Sequence, residues 1–86
     1  MPELARFFGI VIMIYYYDNQ RHNVPHIHAR YGEQEAEFDL DGNMIRGNLD
    51  PKQKHQVENF INAFPDELKE AWNCAVNGKK PPKIPY

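Results

Sequence analysis

Alternating apolar and polar residues separated by turn dipeptides fill the first half of the chain, and two apolar stripes at helical spacing follow Asp50. Together they predict an α+β fold: a small antiparallel β-meander of three to four strands, with two C-terminal α-helices packed on one face. The chain of 86 residues is sized for one domain. Residues 1–78 are assigned to a single α+β domain, and residues 79–86 to an extended, basic, proline-rich tail. A chain of this length hides about 60–68% of its unfolded surface, enough for one core but not for a deep closed cleft.

The first strand is read from Phe7 to Tyr17, a β-branched and aromatic run. Phe8, Ile10, Ile12, Ile14 and Tyr16 fall on one face; Phe7, Val11, Met13, Tyr15 and Tyr17, around Gly9, fall on the other. Both faces are apolar, so helices are expected on one side and a partner chain or loop on the other. After a polar connection from Asp18 to Pro25, two short strands at about 26–31 and 34–40 flank Gly32-Glu33. Glycine in the first central position suits a two-residue type II′ turn. That turn pairs Tyr31 with Gln34, Arg30 with Glu35, Ala29 with Ala36, His28 with Glu37, Ile27 with Phe38, and His26 with Asp39. Apolar then meets apolar and base meets acid, apart from the pair beside the turn. Asp41-Gly42 suggests a second tight hairpin, of type I′, pairing Phe38 with Ile45 and Glu37 with Arg46.

Asp50 begins the helical half as an N-cap, with Pro51 at the first helical position and Gln53 at capping-box spacing. Val57, Phe60, Ile61 and Phe64 form one stripe. Pro65 interrupts it and starts a second helix, whose first turn carries Asp66 and Glu67 and whose stripe is Leu68, Ala71, Trp72 and Ala75. Trp72 reads as a core anchor, and Gly78 as the residue that ends the helix.

Composition narrows the function classes. A net charge of −2, with 26% charged and 42% hydrophobic residues, argues against disorder and against a generally basic surface for nucleic acid or anionic lipid. Charge is uneven: residues 1–50 hold four Arg against eight acids, and residues 51–86 hold six Lys against four acids. One cysteine, Cys74, forms no internal disulfide, which fits a reducing compartment. The apolar run is too short to span a bilayer and lacks signal-peptide flanks, so a soluble, cytoplasmic protein is expected.

Chemistry concentrates at Pro25-His26-Ile27-His28-Ala29-Arg30. Alternation puts His26, His28 and Arg30 on one face, opposite Glu35, Glu37 and Asp39, with His22 and Asp18 just upstream. Three readings stay open. One is a solvated face of cross-strand charge pairs. Another is a divalent-metal site in which a His-x-His pair and a facing carboxylate supply the ligands. The last is metal-independent acid–base chemistry on an RNA phosphodiester, with an imidazole as base, a carboxylate fixing its tautomer and Arg30 on the phosphate. His26, His28, Arg30 and Glu37 are the candidate catalytic residues. His22, Tyr15, Tyr17, Tyr31, Lys79 and Lys80 are candidates for substrate or partner binding. No cofactor motif is found, and no metal ligand set is assigned. The second apolar face of the first strand weights the reading toward binding another chain, a cognate small protein or a second copy, ahead of catalysis; RNA is a further candidate partner.

The strings Phe7-Phe8-Gly9-Ile10-Val11-Ile12, His22-Asn23-Val24-Pro25-His26-Ile27-His28-Ala29-Arg30-Tyr31-Gly32 and Ala36-Glu37-Phe38-Asp39 resemble the bacterial domain-of-unknown-function family 4160. The resemblance runs over nearly the whole chain, including Trp72 and Gly78-Lys79. Members often carry a further proline where Val24 stands here, which touches only the rigidity of that loop. The resemblance implies a small protein encoded beside domain-of-unknown-function family 2442 in a pair resembling toxin–antitoxin modules. This chain would be the toxin-like member, acting through an antitoxin-like small partner. It supplies no catalytic residues.

Overall fold

A computed structural model describes residues 2–16 and 24–86. Five strands, β1 (Glu3–Phe7), β2 (Ile10–Met13), β3 (His26–Tyr31), β4 (Gln34–Asp39) and β5 (Met44–Gly47), precede two helices, α1 (Pro51–Ala63) and α2 (Pro65–Val76). The sheet is antiparallel throughout, in the order β1-β2-β3-β4-β5. The α+β meander is as expected, but it has five strands rather than three or four.

The additional strand comes from the apolar run. It does not continue as one strand from Phe7 to Tyr17: Phe8 (φ 50°) and Gly9 (φ 76°) form a tight turn that pairs Phe7 with Ile10. Positive φ at both central residues is the signature of a type I′ hairpin turn. Phe7 therefore joins Ile10, Ile12 and Ile14 on the core face, while Phe8 is exposed at the tip. Tyr17, the end of the expected strand, lies outside the described residues.

All six cross-strand pairs expected between His26–Tyr31 and Gln34–Asp39 are present. Gly32 has φ of 60°, and Glu33 is not among the positive-φ residues, as a type II′ turn requires. The next hairpin differs from expectation. Asp39 N–H donates to the Asn43 carbonyl at 2.9 Å, so the loop holds three residues, ending at Gly42 (φ 96°), rather than two. Phe38 consequently faces Met44, and a bulge at Ile45 restores the expected Glu37–Arg46 pair.

One face of the sheet carries Leu4, Ile10, Ile12, Ile14, Ile27, Ala29, Ala36 and Phe38 against the helices. The helical stripes arrive as read: Val57, Phe60 and Ile61 from α1, and Leu68, Ala71, Trp72 and Ala75 from α2, are buried. Asp50 sits at the N-cap without capping the helix by its side chain. Its carboxylate instead accepts from Gln34 Nε2 at 3.1 Å, and its N–H donates to Gln34 Oε1 at 3.0 Å, tying α1 to β4. Gly78 (φ 72°) ends α2 in a Schellman motif, with Lys79 N–H donating to the Cys74 carbonyl at 2.8 Å. Beyond it the chain returns to β1: Ile84 N–H donates to the Leu4 carbonyl at 2.8 Å, and the Tyr86 ring packs against Phe7, Phe60 and Phe64.

Val11 and Met13 occupy the opposite sheet face, yet they are only 8% and 3% exposed. The two side chains expected to form an open apolar face are thus buried. No described helix is long and apolar enough to cross a membrane.

Candidate functional site

Strand alternation delivers three chemical side chains to one place on the face opposite the core. His26 and His28 project together from β3, and Glu37 stands across from His28 on β4. Their ligand-capable atoms all lie within 4.8 Å of one another. The site is not the solvated charge face that alternation alone allows, because His26 is 0% and His28 5% exposed. Ring contacts accompany that burial, including one at 5.2 Å between the two imidazoles. The His28 ring stacks on Tyr15 with centroids 3.9 Å apart, and the His26 ring lies 5.2 Å from Trp72 at the end of β3.

The tautomer of His26 follows from its neighbour. Its Nδ1 lies 2.7 Å from the Val24 carbonyl oxygen, which can only accept, so Nδ1 carries the proton. Nε2 is then aimed at Glu37, 3.6 Å from Oε1. That separation is long for a hydrogen bond. It matches the edge of a metal coordination sphere, since two ligand atoms about 2.1 Å from a tetrahedral ion stand about 3.4 Å apart. A metal-bound imidazole characteristically donates its other N–H to a backbone carbonyl, as His26 does to Val24. Nδ1 of His28 lies 3.9 Å from Glu35 Oε2, and Arg46 approaches the other oxygen of Glu37 at 3.9 Å. Two imidazoles and a carboxylate suit a divalent transition metal, and three protein ligands leave a coordination position open.

The remaining candidates divide by location. Arg30 shares the face of His28 but is exposed, and it makes no ion pair with any described residue. Its register partner Glu35 approaches His28 instead. Tyr15 belongs to the site through its stack on His28. Tyr31 does not: it packs against the hydrophobic core on the other face, with its ring beneath Gly9. Lys79 and Lys80 are exposed just past α2, on a different element from the histidines. His22 and Tyr17 lie outside the described residues.

Two participants escaped the sequence reading. Trp72 was legible as a core residue, and nothing in its helical stripe signalled that its ring would also meet His26. Val24 acts through its carbonyl, which side-chain patterns do not reveal. Trp72 has a second neighbour: with Val24, Pro25, Leu40 and Asn73 it lines an open pocket of about 460 Å³, rimmed by Asp39, Asp41 and Lys69.

No curated protein and no solved structure matches this chain. A family model does match, that of a domain of unknown function, DUF4160, over residues 9–73. This span takes in β2, β3, β4, both histidines, Glu37 and Trp72, and the chain therefore belongs to the DUF4160 family.

Proposed function

We propose that this domain binds a divalent transition-metal ion, zinc by default, through His26 Nε2, His28 and Glu37. The observation that carries the reading is the 3.6 Å approach of His26 Nε2 to the Glu37 carboxylate, with Nδ1 already committed to Val24. With the ring neutral, the Nε2 lone pair faces a carboxylate in a buried site, an arrangement that a cation between them stabilises. The three ligand-capable atoms span up to 4.8 Å, so a side-chain shift of about 1 Å brings them onto one ion.

The alternatives fare less well. Direct acid–base attack on an RNA phosphodiester needs an imidazole nitrogen that a substrate can reach, and both rings are buried. A toxin-like role through a cognate partner draws on the family resemblance and on the apolar residues Val11 and Met13, which are only 8% and 3% exposed and so offer little free surface.

The protein reports on its own site. Its one tryptophan, Trp72, has its ring 5.2 Å from the ring of His26. Titrating Cu²⁺, Ni²⁺ or Co²⁺ into untagged protein should quench Trp72 fluorescence with a one-to-one endpoint, and elemental analysis should find about one zinc per chain after zinc loading and dialysis. Glu37→Gln and His28→Ala should each weaken binding by about 10- to 100-fold. Substoichiometric metal, with quenching indifferent to both substitutions, would refute the proposal.

A further inference from the structure

We infer that the same sheet face carries an anion subsite, built by Arg30 and Arg6, for the phosphoryl group of a small phosphate ester. The inference rests on the metal-site reading for its location, and it extends that reading to a ligand class.

Register supplies the geometry. Val11 of β2 pairs with Arg6 on one side and Arg30 on the other, so the two arginines flank it in one cross-strand row. Neighbouring strands run about 4.8 Å apart, which places their Cα atoms about 10 Å from each other. Both side chains are exposed, and the register puts both on the sheet face of Val11. Arg30 is also two residues from His28, about 6.6 Å along the strand, on the same face. A guanidinium from each side presents the forked donors that a phosphoryl group accepts.

Charge favours an anion here although the protein as a whole is at −2. Arg30 makes no ion pair with a described residue, and Glu35, its register partner, approaches His28. Arg6 holds Glu3 through a 2.8 Å bond, but that pair is exposed and a guanidinium has further donors to offer. Lys83 of the tail acts on the same carboxylate, as does Arg30. Cations of β1, β3 and the tail thus all act on one carboxylate, and a dication held by His26, His28 and Glu37 would add to the field. The acidic residues elsewhere on the surface oppose a long polyanion, so a small ester fits better than an RNA strand.

The test uses the full chain loaded with zinc, with inorganic phosphate, a mononucleotide monophosphate and a short oligoribonucleotide as separate probes, followed by calorimetry and ³¹P line broadening. The mononucleotide and phosphate should bind, and Arg30→Gln with Arg6→Gln should weaken both by about tenfold or more. Metal binding by the double variant, read from Trp72 quenching, should stay at the wild-type value. Equal phosphate affinity in wild type and variant, or no binding at all, overturns the subsite. Preference for the oligoribonucleotide with a steep salt dependence overturns the small-ester assignment in favour of RNA. The two readings fail separately. If wild-type protein takes up no metal, the metal centre is refuted, and the arginine dependence of phosphate binding in the metal-free protein still decides the subsite.

Discussion

Phe8 holds a left-handed backbone (φ 50°) with its ring 68% exposed. An aromatic residue gains little from exposure and is strained in that conformation, whereas asparagine adopts it readily and is favoured before glycine in a type I′ turn. Phe8→Asn should therefore stabilise the fold by about 1 kcal/mol, seen as a melting temperature higher by about 4–8 °C. An unchanged or lowered melting point would show that the ring contributes packing, through its edge contact with Phe7, that offsets the strain. Asp39 illustrates the opposite economy. Burial pushes its carboxyl up, but hydrogen bonds from Asn43 backbone and side chain, and from the Asp41 and Gly42 backbone, outweigh this and hold it below its ordinary 3.8. A depressed carboxylate stabilises the fold above its unfolded value and loses that contribution as pH falls through the folded one. Asp39→Ala should cost about 2 kcal/mol at neutral pH, because three donors around the turn lose their acceptor. The difference from wild type in urea denaturation should shrink steadily below pH 4.

Hairpins show at the level of elements what the sequence can and cannot specify. The β3–β4 register was legible because Gly32 imposes the turn and the alternation of His26, His28 and Arg30 against Glu37 and Glu35 tests it independently. The β1–β2 hairpin was not, since Phe8 is an unusual turn residue and the apolar character runs through it without a break. Asp41-Gly42 did mark a turn, but the third loop residue depends on the Asp39 carboxylate gathering the N–H groups of Asp41 and Asn43, which no dipeptide rule includes. The trio His26, His28 and Glu37 could be read from register; their burial could not, because ring contacts from Tyr15 and Trp72 come from distant sequence. Gly47 closes the sheet under a stricter constraint. It has φ of 86°, and a Cβ there would collide with the carbonyl oxygen of Glu35 and press on the Ala36 backbone. Backbone cannot yield as a side-chain tip does. Gly47→Ala should destabilise by about 2 kcal/mol or more and should loosen β5 first, a loss detectable as faster amide exchange in β4 and β5 than in β1 and β2.

Across the whole molecule, the two ends of the chain complete each other. β1 is a sheet edge, and an edge with unpaired backbone groups invites pairing with another chain. The C-terminal residues occupy part of that edge: Ile84 is 4% exposed and bonds to Leu4, while the Tyr86 ring lies 4.6 Å from Phe7 and 5.3 Å from Phe60. The segment has no regular secondary structure, and Pro81, Pro82 and Pro85 restrict its unfolded conformations, which lowers the entropy lost on docking. Removing residues 84–86 deletes one buried isoleucine and one ring of an aromatic cluster and uncovers the Leu4 carbonyl. The loss should be about 3 kcal/mol of stability. It should also produce concentration-dependent self-association, measurable by sedimentation, because a strand edge and the rings of Phe7, Phe60 and Phe64 become available together. Ile84→Ala separates the two effects. It keeps the backbone bond to Leu4, so it should lower stability while the protein remains as monomeric as the full-length chain. If the truncated protein neither melts earlier nor associates, the tail is an ornament rather than the sheet's closing element.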